Sequence, residues 1–315
     1  MKRISKLNRG SELIKHLMAT MVVLASLLIL PNTYARVGDV FTQDKIQYTV
    51  TSEGTLFKRV SVTGHGRDIV IANIPPFVIY NDVIYSVTAI SNSAFQECNS
   101  LTNVTVPDSV TTIGEYAFFE CENLTDVIVS DSVTTIRYNA FENCVDLRNI
   151  SLGNGLEKLE NMVFHHCSSL TSIKLPASLK DIGWGVFNWC TSMKYFEVDE
   201  NSPYFTTVDG ILFNKSLTHL IKYPAAKEGT EYVVSENVTE LNDYVFHNCH
   251  NLQKIVIPAK SKKIPQGLCE DCRNLKEFTI PASVTSIGSW AFSGCEKLKN
   301  ITAVPLNFCL TNNWR

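Results

Sequence analysis

The sequence lacks the excess of basic residues that a nucleic-acid-binding domain carries. Its 315 residues contain 28 Lys and Arg against 31 Asp and Glu, which gives a formal net charge of −3. Catalytic signatures are also missing: there is no Gly-rich phosphate loop, no nucleophile elbow and no HExxH. We therefore predict no nucleic-acid partner, no cofactor and no enzymatic activity.

The sequence has no long apolar run after residue 30. The single long run lies before it and has the features of an export signal. It spans residues 17–30, follows basic residues and ends at Pro31, before Thr33-Tyr34-Ala35. The alternative is a membrane anchor, but the run falls short of the roughly 20 residues that a spanning helix needs. We predict that residues 1–35 are a signal peptide cleaved near Ala35. The protein is then secreted or displayed at the cell surface, without membrane insertion.

What the sequence does contain is a strict repeat. Eight cysteines recur in two series with a spacing of 23 residues, at Cys98, Cys121, Cys144, Cys167 and Cys190 and then at Cys249, Cys272 and Cys295. A phenylalanine precedes seven of them by three residues, and Leu or Met follows all eight by three residues. A fixed period of this length is typical of leucine-rich-repeat solenoids.

One repeat shows how the chain uses this period. Residues 101–106 alternate apolar and polar side chains, which predicts a short strand that Pro107 ends. Val110 and Ile113 predict a second inward segment, and residues 117–121 predict a short helical turn on the return path. A single coil buries too little apolar surface to fold alone, so the coils must stack and pair their strands in parallel.

Two segments depart from the period. The strand centres at Phe196 and Tyr232 lie 36 residues apart instead of 23, and residues 202–230 between them predict a β-hairpin insertion that turns at Asp209-Gly210. A similar hairpin is predicted around Asn81-Asp82. We divide the mature chain into an N-terminal β cap over 36–68, a solenoid over 69–304 and a tail over 305–315.

The repeat pattern Leu-x-x-Ile-x-Ile-Pro-x-x-Val-x-x-Ile-Gly-x-x-Ala-Phe-x-x-Cys resembles the BspA-like leucine-rich-repeat family. The best matching stretches are Leu101 to Cys121, Leu170 to Cys190 and Leu275 to Cys295, and the resemblance covers about residues 40–304. Ser130 and Gly153 depart from it by replacing the proline. The predicted fold is an α/β solenoid, a right-handed coil stack with its parallel sheet on the concave face. The resemblance implies a surface or secreted protein with a role in adhesion.

The phased cysteines predict free thiols rather than disulfides. Equivalent positions in stacked coils lie about 4.8 Å apart with parallel side chains, whereas a disulfide needs converging Cβ atoms about 3.8 Å apart. The one CxxC, Cys269–Cys272, has Cys269 in the Phe position, so we interpret both as core residues and predict no metal site. We interpret His165, His166, His247 and His250 as solvated loop residues.

The candidate ligand site lies on the outward positions of the predicted sheet. Because side chains alternate along a strand, the residues between the inward positions must face solvent. Basic and aromatic side chains gather there, and we select Arg148, Lys174, Lys194, Tyr195, Glu197, Lys254 and Lys276. We predict a binding protein, an adhesin or scaffold for host or microbial protein or glycan ligands. The alternative is a purely structural surface protein whose lysines only keep the sheet face soluble.

Overall fold

A computed structural model describes residues 35–54, 57–66 and 68–303. Apart from Ala35, the predicted signal peptide lies outside these residues, as do Cys309 and the predicted tail. The described residues from Arg36 onward belong to one compact unit. The described residues contain no helix that is long and apolar enough to cross a membrane.

The described chain is a stack of coils, and strands on one side of the stack form what we call the first sheet side. Alternation holds there: Val104 is buried, while its neighbours Asn103 and Thr105 are partly exposed. Neighbouring strands pair in parallel and in phase, as in Asn103↔Asp126 and Asp126↔Asn149. The ten strands are β4 (Ile71–Asn73), β7 (Asn103–Thr105), β9 (Asp126–Ile128), β11 (Asn149–Ser151), β13 (Ser172–Leu175), β15 (Tyr195–Val198), β19 (Glu231–Val233), β21 (Lys254–Val256), β23 (Glu277–Ile280) and β25 (Asn300–Ala303).

Shorter strands form a second sheet side. Each has two residues, and the inward residue falls on the Ile position of the repeat, as with the fully buried Ile113 and Ile136. These strands are β8 (Thr112–Ile113), β10 (Thr135–Ile136), β12 (Lys158–Leu159), β14 (Asp181–Ile182), β20 (Glu240–Leu241), β22 (Lys263–Ile264) and β24 (Ser286–Ile287). The predicted parallel-strand solenoid is therefore present, whereas its handedness and its concave face stay predictions.

The third side consists of turns, and here the predicted helical turn is wrong. No helix is present in the described part of the chain. The residues five and one before each phased cysteine have positive φ, as in Tyr116 at 56° and Glu120 at 57°, and a right-handed helix cannot include such residues. Backbone N–H groups instead reach across coils, as from Phe95 to the Ala117 oxygen at 2.7 Å. The α/β class is therefore not supported, and the described fold is built from strands and turns.

An antiparallel meander precedes the regular coils. It consists of β1 (Val40–Gln43), β2 (Ile46–Glu53) and β3 (Lys58–His65), and β3 pairs in parallel with β6 (Val83–Ile90). The strand β5 (Phe77–Tyr80) forms a hairpin with β6. Its turn residues Asn81 and Asp82 both have positive φ, which matches the right-handed twist of paired strands.

The insertion between β15 and β19 holds three strands: β16 (Phe205–Val208), β17 (Ile211–Asn214) and β18 (His219–Lys222). β16 and β17 form a hairpin whose turn, Asp209-Gly210, again has two positive φ values. β18 then pairs in parallel with β20. The next residue, Tyr223, donates its backbone N–H to the Val245 oxygen, as the repeat phenylalanines do. The insertion thus supplies a partial coil to two sides of the stack and no strand to the first sheet side.

The core consists of columns of equivalent side chains. Phe95, Phe118 and Phe141 are fully buried, with consecutive ring centroids 5.1 and 5.0 Å apart and nearly parallel planes. All nine described cysteines are free thiols, as the stacking geometry predicts. Cys144 donates its thiol to the Phe118 oxygen at 3.2 Å, and burial raises the pKa of that thiol well above its usual range. These thiols therefore pack as small apolar side chains in the core and are not reactive groups.

One departure from the repeat pattern has a clear reason. A Cβ on Gly153 would lie 2.0 Å from the backbone oxygen of Ser130 in the preceding coil. Only glycine fits at that closely packed corner.

Candidate functional site

The structure separates the seven predicted site residues into two groups. Lys174 lies on β13, while Tyr195 and Glu197 lie on β15, which pairs with β13 in the register Ser172↔Tyr195 and Lys174↔Glu197. Arg148 and Lys194 are exposed immediately before β11 and β15. The remaining two, Lys254 and Lys276, lie beyond the insertion, on or next to β21 and β23.

The insertion divides the groups because β15 has no strand partner on its far side among the described residues. The hairpin turn occupies that position instead, and the backbone N–H of Phe196 donates to the Gly210 oxygen at 2.8 Å. A Cβ on Gly210 would lie 2.6 Å from the Cβ of Tyr195. The predicted continuous surface is thus interrupted, and Tyr195 stands against the turn with 43% of its surface exposed.

The lysine side chains of both groups are largely exposed and only weakly paired. Lys174 lies 4.0 Å from Asp199 and Lys254 lies 3.9 Å from Glu231, with lysine side chains 65% and 44% exposed. Lys276 donates to the Gln253 side chain at 2.8 Å. Exposed pairs of this kind contribute about 0–1 kcal/mol to stability. These charges are therefore available to a ligand at little cost to the fold.

A polar ladder on β7, β9 and β11 was not selected from the sequence. Asp126 accepts a hydrogen bond from Thr125 at 2.6 Å and from the Asn149 amide at 2.8 Å, and Asn103 approaches from the other side. These bonds, with the charge of Arg148, lower the pKa of Asp126. Asn103, Asp126 and Asn149 occupy the same position in three successive repeats, and this regular spacing is the sequence signal for the ladder. Together they extend the polar surface next to Arg148.

A buried polar cluster lies where the insertion joins the turn side, and it corrects the interpretation of one histidine. His247 is 2% exposed rather than solvated, and its ring meets Trp189 edge to face at 4.8 Å. Lys222 is also buried, donating to the Asn188 side chain at 3.0 Å and to the Tyr244 backbone oxygen at 2.6 Å. Burial lowers the pKa of Lys222 to about 8. Burial, followed by the charge of Lys222, lowers the pKa of His247 to about 2.

Neither this cluster nor the cysteine pair has the geometry of a metal centre. Among the described residues, no three His, Cys, Asp or Glu side chains are placed to hold a metal ion together. Cys269 and Cys272 are both fully buried, and Cys272 donates to the Phe246 oxygen at 2.9 Å in the manner of the other phased thiols.

Comparison with protein families matches residues 88–218 and 226–308 to six copies of the BspA type leucine-rich-repeat region. The chain belongs to the BspA-type leucine-rich-repeat family. The matched residues cover most of the 23-residue coils, and the break in the match, at 219–225, falls inside the insertion. A comparison with curated proteins finds no match.

Solved structures of other bacterial proteins are similar to this chain. The pneumococcal vaccine antigen PcpA is similar at a TM-score of 0.69 and 23% identity, over 85% of this chain and 82% of that chain. A leucine rich cell surface protein from Faecalibacterium prausnitzii has a TM-score of 0.46 and 21% identity, over 85% and 96%. A leucine-rich-repeat protein from Bacteroides ovatus has a TM-score of 0.43 and 26% identity, over 82% and 81%. The likeness to PcpA shows the fold alone.

Proposed function

We propose that this BspA-type protein is a secreted or cell-surface binding protein, and that it engages an extracellular protein or glycan through the first sheet side. The observation that carries this proposal is the surface around β11, β13 and β15. There, Tyr195 is braced by the Gly210 turn while Lys174 and Lys194 remain exposed. A braced, partly exposed aromatic loses little side-chain entropy on binding, and Tyr is favoured at interface hot spots.

The proposal narrows the predicted site to the residues before the insertion. Arg148 and the Asn103–Asp126–Asn149 ladder lie on or next to the sheet β4-β7-β9-β11. Lys174, Lys194, Tyr195 and Glu197 lie on or next to the pair β13-β15, which contacts β11. Lys254 and Lys276 belong to another sheet, β19-β21-β23-β25. The alternative of a purely structural surface protein requires no such concentration of exposed charge beside a braced aromatic.

The test is a binding measurement with a double variant. We expect Tyr195→Ala with Lys174→Glu to weaken binding at least tenfold, about 1.4 kcal/mol, because it removes the anchor and reverses a charge. The measurement is surface plasmon resonance of residues 36–315 over purified extracellular-matrix proteins, such as collagen and laminin, and over mucins. The melting temperature should stay unchanged, since both side chains are exposed.

The control is Val233→Ala with Lys254→Glu, which makes the same kind of change beyond the insertion. Val233 is 65% exposed on β19, and Lys254 follows on β21. We expect this variant to bind as the unmodified protein does. Equal losses in both double variants would place the ligand elsewhere, and the absence of binding across the panel would favour the structural alternative.

A further inference from the structure

Aromatic side chains, all but one of them at least partly exposed, gather on the turn side, away from the surface proposed above. In one group, the ring of Tyr116 lies 5.5 Å from Phe119 and 5.4 Å from Tyr138. In the other, Trp184 lies 5.4 Å from Tyr244, and Trp189 lies 5.4 Å from His166. We call this set the aromatic ridge: Tyr116, Phe119, Tyr138, Trp184, Trp189 and Tyr244.

The rings of the ridge are arranged differently from those of the core. Core phenylalanines cover one another's faces, with planes only 4–18° apart from Phe95 to Phe187. Most ridge rings meet edge to face instead, at 77° and 86° around Tyr116 and at 81° between Trp184 and Tyr244, whereas Trp189 is stacked on His166 at 27°. An edge-to-face contact leaves ring faces uncovered. Trp184 is 41% exposed, and the buried Tyr244 supports its position.

Three ridge residues also occupy costly backbone positions. Tyr116, Trp189 and Tyr244 have φ values of 56°, 61° and 58°, where a side chain other than glycine costs about 1–2 kcal/mol. The chain places glycine at equivalent positions elsewhere, as at Gly185 and Gly267. Positive φ recurs at these two positions in every coil, so the backbone conformation belongs to the fold. The fold therefore sets the backbone there but does not require a large aromatic side chain.

Polar groups surround the rings, and the coil between the two aromatic groups presents the exposed Asn161. Two buried atoms beside this coil, Oδ1 of Asn139 and Nδ1 of His166, have no hydrogen-bond partner among the described residues. Charged side chains at the edge are mainly acidic, with Glu115, Glu120 and Glu160 against Arg137. This composition disfavours anionic ligands and suits one rich in hydroxyl groups.

From these observations we infer that the aromatic ridge binds a neutral polysaccharide. Free ring faces stack on the apolar faces of pyranose rings, while amide and carboxylate groups bond to their hydroxyls. Successive coils are spaced about 4.8 Å apart, a step close to the length of one sugar residue. A chain of several sugars therefore spans both aromatic groups, with Asn161 between them. The inference is independent of the ligand surface around Tyr195.

The experiment uses the protein without its signal segment on an array of neutral and acidic glycans. It is followed by calorimetry with di-, tetra- and hexasaccharides of the neutral glycan that binds. We expect the Kd to fall at least tenfold from di- to hexasaccharide, because only the longer chain reaches both groups. Trp184→Ala and Tyr116→Ala should each raise the hexasaccharide Kd at least tenfold, and Trp184→Phe should restore most of the loss.

Trp290→Ala is the matched control, because Trp290 is also exposed and also has positive φ, at 57°. It has no ring neighbour within the part of the chain that the structure describes, and we expect the variant to bind normally. Tyr195→Ala with Lys174→Glu should also leave saccharide binding intact, which separates this inference from the proposed function. Failure of every neutral glycan to bind, binding of acidic glycans only, or an equal loss in Trp290→Ala would overturn it.

Discussion

At the scale of single residues, the positive-φ positions decide the form of the turn side. They recur five and one residues before every phased cysteine, with Gly at some coils and side chains as different as Ser, Met, Glu, Asn, Asp and Trp at others. Each sits where the chain turns and where N–H groups reach the next coil, as from Glu120 to the Glu142 oxygen at 2.9 Å. The backbone hydrogen bonds of the stack therefore offset the local strain.

This geometry makes a prediction about two neighbouring glutamates. Glu120→Gly relieves a φ of 57°, whereas Glu122→Gly adds flexibility at a position without positive φ, which costs about 0.5–1 kcal/mol. We expect the Glu120 variant to exceed the Glu122 variant by about 1 kcal/mol in free energy of unfolding. Urea denaturation of the two variants measures this difference. Equal destabilisation by both would show that the left-handed turn carries no strain.

The same positions explain what could be predicted from the sequence at this scale. The inward residues follow the period, and Phe118, Cys121 and Leu124 are all fully buried, as the phase indicates. The predicted helical turn over residues 117–121 is wrong because a residue such as Glu120 carries no sequence signal for the left-handed backbone that it adopts. Their conformation is imposed by hydrogen bonds to the neighbouring coil, which no local pattern reveals.

At the scale of elements, the insertion also combines a feature with a local sequence signal and a feature that only the neighbouring coils determine. The Asp209-Gly210 turn has a strong local signal, and the structure has a hairpin there. The parallel pairing of β18 with β20 has no such local signal in the sequence, because it depends on the whole stack. For that reason the interruption of the candidate surface was not anticipated. The burial of Lys222 and His247 was missed for the same reason.

That buried cluster predicts a dependence of stability on pH. The pKa of His247 is lowered to about 2 in the folded protein, against about 6.5 in the unfolded chain. The unfolded state therefore binds the proton first. The contribution of neutral His247 to the free energy of unfolding is complete above pH 6.5. It is lost as the pH falls from there toward 2, at about 1.4 kcal/mol per pH unit. His166, whose pKa is lowered mainly by burial, acts in the same direction.

The measurement is the free energy of unfolding between pH 7 and pH 5 in the unmodified protein and in His247→Leu. The variant should lose less stability over this range, by about 2 kcal/mol. His219→Leu is the control, since His219 pairs with Glu240 at 3.8 Å on the far end of β18. A His247→Leu profile that parallels the unmodified protein would show that His247 is not held neutral by its surroundings.

At the scale of the whole molecule, the insertion also separates the core. The buried residues from Ile211 to Phe292 form a hydrophobic cluster of their own, with Tyr223 and Phe246 within it. The second sheet side is likewise interrupted, since the sheet that contains β8 to β14 ends at β14, and β18 begins another with β20. Links across the boundary include polar and aromatic edge contacts, such as Lys222 to Asn188 and Trp189 to His247, and a backbone hydrogen bond from Ala226 to the Met193 oxygen. In a solenoid, where each coil contacts only its neighbours, such a boundary permits the two parts to open separately.

Two matched core substitutions test this separation. Phe141 and Phe246 are both fully buried and occupy the same repeat position, so replacing either with Ala should cost about 3–5 kcal/mol. If the parts open separately, Phe141→Ala lowers the protection of amides in residues 95–190 and leaves residues 240–295 largely unchanged. Phe246→Ala should do the reverse. Hydrogen exchange followed by mass spectrometry resolves the two regions in one experiment. A uniform loss of protection along the chain in both variants would mean that the boundary transmits stability fully and that the solenoid unfolds as one unit.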